Sequence, residues 1–368
     1  MQRRSFLKKA SLGIAATGGA TLAAPVFAQD APTLNWRLAS SFPTSADAIF
    51  NGGVHFAKYL SEATGGKFNV RVHHAGEIVP ALQVFDAVQN GTVECGHTAA
   101  YYYYGKSPVF SFDATVPFGM NTRQLVAWMH AGNGLKLMRE VYDKYNIVNF
   151  PCGYTGAQMA GWFRKEINTV EDLQGLKFRC SAFAGAVLSR LGVIPQQVAG
   201  GDIYPSLEKG TIDAAEWIGP YDDEKMGFHK VAPNYYYPGW YEGGLQVSLY
   251  INKDKYNELP ESYKAAILQA SNMASTTMIS TYDQKNPQAL RRLMSEGAKL
   301  KRFSKEVLDA CYAETQKLYA ELSEKDPVFK KVYDDYAAFL EEVTPWFGVT
   351  EFNFDSFMIN AIRQKRNG

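Results

Sequence analysis

Patterns for metal and redox sites are missing from this sequence. Its four cysteines, Cys95, Cys152, Cys180 and Cys311, form no Cys-x-x-Cys pair, which removes zinc-ribbon and thioredoxin-type readings. A chain of 368 residues can bury a sizeable core without bridges, so buried free thiols are expected. The six histidines have no metal-ligand spacing, and His97 reads as a satisfied polar residue near a cleft. There is no Gly-x-Ser-x-Gly elbow, no His-Glu-x-x-His and no Gly-x-Gly-x-x-Gly. "TGGK" at Thr64 to Lys67 lacks the leading glycine of a phosphate loop and reads as a helix stop. Net charge is nearly absent too: 38 Lys and Arg stand against 37 Asp and Glu, which gives no electrostatic reason to expect nucleic acid or an acidic membrane as partner. Without a base, nucleophile or cofactor motif, the sequence predicts a binding protein for a small or protein partner rather than an enzyme.

What is present begins with "MQRRSFLKKASLGIAATGGATLAAPVFAQD": a basic start, a weakly apolar Gly- and Ala-rich run, then small residues. Arg3-Arg4 followed by Ser5-Phe6-Leu7-Lys8 resembles a twin-arginine export signal, a receptor-read address for folded proteins. Cleavage after Ala28 and a periplasmic destination are expected. No later stretch is long and apolar enough to read as a membrane span.

The mature chain alternates strands and helices. "LNWRLASSF", "FNVRVHHAGEI" and "TVECGHTAAYYYY" read as strands, with helices over "SADAIFNGGVHFAKYLSEATGGK" and "PALQVFDAVQNG" between them. The alternation alone predicts helices around a largely parallel sheet. "AVQNGTVECGHT" and "SLEKGTIDAAEW" echo each other: helix end, Gly-Thr, β-branched residue, acid, strand. One such unit falls in each half, which predicts an α/β protein of two lobes with the ligand between facing strand ends, at His97 to Tyr104 and at Glu216-Trp217. Short strands dominate the middle, and from Pro260 onward the pattern is strongly helical. No flexible linker separates the halves, so several chain crossings are expected.

Two residues stand out chemically. Strand alternation in "GLKFRCS" puts Arg179 on the face opposite Leu176 and Phe178, near the strand's end, where its guanidinium can grip a carboxylate or form a surface ion pair. Glu216 interrupts a strand-like run immediately before Trp217 and a turn, a position where its charge asks for a partner.

"GAQMAGWFRKEINTVEDLQGLKFR", the block from Gln196 to Gly244 and the front "WRLASSFPTS" resemble the extracytoplasmic solute-binding proteins of TRAP (tripartite ATP-independent periplasmic) transporters, most closely their 2-oxoacid, pyruvate-type branch. The resemblance covers essentially the whole mature chain. It implies a two-lobe periplasmic binding protein with a mixed sheet in each lobe and long C-terminal helices, closing on an organic acid for a membrane permease. It implies that Arg179 clamps the carboxylate. A cation beside the ligand is implied at Gln158, Glu216 and the carbonyl of Trp217, with Glu242 as a further site position. Tyr101 to Tyr104, Phe183 and Trp217 are expected to wall the site, with Tyr101 and Phe183 among the ligand contacts. All-oxygen ligation suits sodium or calcium and not zinc. Sodium is the expectation, because "YEGG" places Glu242 on a Gly-rich turn where it lines the site or reaches the metal through water. A lactate or other 2-hydroxy acid receptor using calcium is the alternative, with a sensor-linked receptor behind it. The expected layout is 1–28 as signal, 29–152 mainly lobe I, 153–242 mainly lobe II and 243–368 crossing between lobes. From about 350, a stripe of Phe352, Phe354, Phe357, Met358 and Ile362 is expected to make a homodimer.

Overall fold

The computed structural model describes residues 31–367, so the expected export signal and its cleavage point lie outside the described residues. Among them run the strands β1 Leu34–Ser40, β2 Phe68–His73, β3 Cys95–Thr98, β4 Ile147–Tyr154, β5 Gly161–Phe163, β6 Lys177–Arg179, β7 Ile194–Gln196, β8 Ala214–Ala215, β9 Asn234–Tyr237, β10 Gln246–Asn252 and β11 Lys299–Arg302. They pair into two sheets, ordered β2-β1-β3-β10-β4 and β11-β9-β5-β8-β6-β7.

Both sheets are mixed. β1 is parallel to β2 and β3, and β6 to β7 and β8, but β10 is antiparallel to β3 and β4, and β5 to β8 and β9. The largely parallel sheet that alternation suggests is therefore corrected. β5 and β10 are the first strands after the chain leaves one sheet for the other. Neither arrives through a helical crossover within its sheet, which leaves the direction open, since β11 also comes from the other sheet and lies parallel to β9. A third crossing uses the helix Glu261–Ser295, which leads from the first sheet to β11 in the second.

Local sequence explains the elements that frame the cleft. The helix Asp47–Ala63 buries Ile49, Gly53, Phe56 and Leu60 at helical spacing. β10 is buried at every position, and its polar residues are satisfied: Gln246 Nε2 and Ser248 Oγ donate to Asp113, and Asn252 Nδ2 to Val88 O. The two Gly-Thr units fold alike. Gly91 and Gly210 both take left-handed φ values, 70° and 72°, which glycine adopts without penalty. Thr92 N then donates to Ala87 O at 2.8 Å and Thr211 N to Ser206 O at 3.0 Å, so the chain enters β3 and β8 through the same turn.

All four cysteines are buried and unbridged, and burial pushes their thiols up. Among the described residues no helix is long and apolar enough to cross a membrane. The C-terminal helices Lys305–Lys325, Pro327–Phe347 and Asn353–Asn367, with the wide helical turn Gly348–Phe352 joining the last two, leave Trp346, Val349, Phe352, Phe354, Phe357 and Ile362 exposed.

Candidate ligand and cation site

Strand register assembles the site. β6 lies parallel to β8 with Arg179 opposite Ala215, and Glu216 N donates to Arg179 O at 2.9 Å, so the two singled-out residues meet. The segment before β5 joins them: Gln158 N donates to Glu242 O and Met159 N to Ile218 O, each at 3.1 Å. Gln158, Arg179, Glu216, Trp217 and Glu242 are all buried, both glutamates fully.

Arg179 is already engaged. Its Nε donates to Val198 O at 3.2 Å, and its Nη1 donates to both Glu216 O and Glu216 Oε2, the latter at 3.2 Å. The Tyr102 hydroxyl also hydrogen-bonds the guanidinium, which lies 5.1 Å from the Trp217 ring. Burial works against its charge, yet Glu216 and the tyrosines Tyr102 and Tyr101 hold its pKa above the ordinary arginine value.

Within this cluster four buried side-chain oxygens stand without a close hydrogen bond, Gln158 Oε1, Glu216 Oε1 and both of Glu242, toward which only the Ser181 and Tyr101 hydroxyls are directed. Gln158 Nε2 is used, donating to Thr155 Oγ1 at 3.0 Å. Desolvation raises the pKa of both glutamates. In Glu216 Arg179 opposes this and Asp223 adds to it; in Glu242 the charge of Glu216 adds, while Arg179, Ser181 and Tyr101 oppose. Each carboxyl is thus pushed toward its neutral form unless positive charge beyond Arg179 is supplied.

The aromatic wall divides. Tyr101 and Tyr102 meet edge to face at 5.2 Å, and their pKa values, raised by burial, respond to Arg179, Glu216 and Glu242. Tyr103 turns away to Thr98 Oγ1 and Phe85 N, and Tyr104 packs on Phe183. Phe183 makes its other ring contacts with Tyr319 and Phe329. Trp217 is buried and its indole Nε1 is unpartnered. His97 is buried against Phe42, with Nε2 3.3 Å from Cys152 O.

Ser181, Val198 and Gly200 border the cluster and were not singled out from sequence. Ser181 gives a weak signal, two residues past Arg179 at the strand's end. Val198 acts through its carbonyl, which carries no side-chain signature. A cleft of about 420 Å³ opens nearby, lined by Pro43, Gly76 and Leu82 on one side and Ala199, Gly201 and Asp202 on the other.

The donor set fits a hard cation. Two carboxylates and an amide oxygen, buried and unpartnered, are oxygen ligands of the kind sodium and calcium accept. Among the described residues no three His, Cys, Asp or Glu gather to hold a metal.

Residues 39–326 match the family described as bacterial extracellular solute-binding protein, family 7 (DctP). The chain is 44% identical over 361 residues to the monocarboxylate 2-oxoacid-binding periplasmic protein of Nostoc sp., covering 97% of this chain and 99% of that protein. It is 49% identical to a TRAP transporter solute-binding protein from Bordetella bronchiseptica, with a TM-score of 0.90 over 91% of this chain and 99% of that one. That structure is a mixed-occupancy dimer with copurified calcium and picolinate in one active site and the other apo. A TRAP periplasmic solute-binding protein from Pseudoalteromonas atlantica, with bound sodium and pyruvate, is 38% identical with a TM-score of 0.86, over 88% and 99% of the two chains.

Proposed function

The chain belongs to family 7 of the bacterial extracellular solute-binding proteins, TRAP transporter receptors and not enzymes, and on that premise we propose that it captures a small 2-oxoacid such as pyruvate together with a cation and hands it to a TRAP membrane permease. One observation carries this reading: a buried arginine beside two fully buried glutamates with unpaired oxygens. An arginine alone would suit any anion. The added carboxylates suit an anion that arrives with a cation.

Gln158, Glu216, Glu242 and the carbonyl of Trp217 would hold the cation, which supplies positive charge to both carboxylates and a second contact for the ligand's carboxylate and α-oxygen. With the Glu216 carboxylate on the cation, its bond to Arg179 Nη1 would be released while Nη1 stays on the Glu216 main-chain carbonyl. The guanidinium would then offer its remaining N–H groups to the ligand carboxylate. Tyr101, Tyr102 and Trp217 exclude water around it. Phe183 supports this wall through Tyr104.

The choice of ion turns on Glu242. Sodium is the expectation if Glu242 only lines the site, but its carboxylate is fully buried and unpartnered. Glu216, Glu242 and a monoanionic ligand against one arginine leave two negative charges, which favours calcium. A 2-hydroxy acid such as lactate offers the same carboxylate and adjacent oxygen and is the second reading. Calorimetric titration of refolded, ligand-stripped protein with pyruvate, lactate and longer 2-oxoacids tests the assignment. Pyruvate binding tighter than lactate is expected, and binding of none of them overturns it.

The layout of 29–152, 153–242 and 243–368 as lobe I, lobe II and crossing segment is supported by β1–β4, β5–β9 and the return through β10, respectively. We assign export to the twin-arginine pathway through Arg3 and Arg4; lysines at both positions should hold the precursor in the cytoplasm. The exposed aromatic stripe near the C-terminus supports a homodimer.

A further inference from the structure

Trp217 packs against Gly200 at a distance that only glycine permits. A Cβ at position 200 would lie 2.4 Å from Trp217 Cη2, 2.8 Å from Cζ3 and 3.0 Å from Cζ2, the outer edge of the indole. Ordinary carbon contacts fall at about 3.5–4 Å, so one added methyl would have to move something by roughly an ångström.

The backbone at Gly200 is the less mobile side of this contact. Val198 O is held by Arg179 Nε at 3.2 Å, Gln197 Nε2 donates to Tyr102 O at 3.0 Å, and Asp202 N donates to Ala199 O at 2.9 Å. The segment is thus tied to the arginine, to the tyrosine pair and to itself. On the other side stands the far end of a side chain that turns about two torsions and whose Nε1 is unpartnered. The ring gives way, and the guanidinium lies 5.1 Å from it.

We propose that Gly200 is a specificity-determining position: having no side chain, it lets the Trp217 indole sit back against the Gln197–Gly201 segment, and so sets the room beside Arg179 for whatever follows the carboxylate and α-oxygen of the bound acid. Gly200 acts through Trp217 and is a positioning residue. The proposal rests on the 2-oxoacid reading and adds to it the feature that selects chain length. Gly201 is the natural control, because a Cβ there meets nothing within 4 Å.

The test titrates ligand-stripped wild type, Gly200→Ala and Gly201→Ala with pyruvate, 2-oxobutyrate and 2-oxohexanoate in saturating calcium. Gly201→Ala should match wild type. Gly200→Ala should shift the ratio of pyruvate to 2-oxohexanoate affinity by about tenfold toward pyruvate, the scale of a methylene-sized change in a pocket. In a Trp217→Phe background, which removes the outer ring edge, Gly200→Ala should no longer change that ratio. This comparison also serves if Gly200→Ala alone does not fold. Wild type binding none of the acids removes the underlying reading and this proposal with it. Wild type binding them, with an unchanged ratio in Gly200→Ala or an undiminished shift in the Trp217→Phe background, removes this proposal alone.

Discussion

Arg179 commits Nε to Val198 O and Nη1 to Glu216, with the Tyr102 hydroxyl also on its guanidinium, and on the proposed reading it would turn to the ligand's carboxylate. The pair with Glu216 neutralises both residues within the protein, so anion and cation compete with an internal partner when alone and cooperate when together. Arg179→Lys keeps the charge and loses the fork. Affinity for the 2-oxoacid should fall at least about tenfold, toward the range of roughly 2–5 kcal/mol for a buried charge-assisted contact, as calorimetry would report. Wild-type affinity in a folded mutant would return Arg179 to a structural ion pair. His97 has its own consequence. Burial lowers its pKa to about 4, with the Cys152 carbonyl opposing, so between about pH 6.5 and 4 the unfolded chain binds a proton that the native state does not. Stability therefore falls as pH drops through that window, by up to about 3 kcal/mol from this group. Melting temperatures should decline less steeply with acid in His97→Gln than in wild type; parallel declines would contradict this.

At the scale of elements, the turn shared by Gly91-Thr92 and Gly210-Thr211 was legible because it is local: a helix end, a left-handed glycine and a strand lie within a dozen residues. Arg179 was singled out from alternation, which puts it on the face of Lys177, but Lys177 is exposed and Arg179 buried, so its burial was not legible there. Nor was its partner. The meeting of Arg179 with Glu216 depends on the register of β6 against β8, a pairing across sequence distance that no local pattern encodes. The same limit hid Val198 and Gly200, which act through backbone and through the absence of a side chain. Alternation also misjudged the sheets, because it cannot tell a strand that returns from another sheet from one that stays. The C-terminal stripe was legible as well, and Phe352, Phe354 and Phe357 stand about 70%, 66% and 70% exposed, too much aromatic surface to leave in water. Removing residues from Thr350 onward should turn a dimer into a monomer in light scattering, and a full-length monomer at micromolar concentration would contradict the assembly.

Across the whole molecule, three crossings join the two sheets, and side chains bridge them as well. Lys225 Nζ meets Asp47 Oδ1 at 2.7 Å, and Tyr221 Oη donates to Asp47 Oδ2 at 3.2 Å, linking the helix Pro220–Met226 after β8 to the helix Asp47–Ala63 after β1. The pair is about a third exposed, so its contribution is modest, about 1 kcal/mol or less. Lys225→Ala should speed ligand release up to about fivefold in stopped-flow without changing which acid is preferred; an unchanged release rate would make the contact incidental. The central claim is that two buried carboxylates make organic-acid capture depend on a cation. Its most direct test is 2-oxoacid affinity after chelation, measured across calcium and then sodium concentrations at fixed ionic strength. The account predicts weak binding in the chelated protein and restoration by micromolar calcium, with sodium far less effective; affinity indifferent to both ions would contradict it.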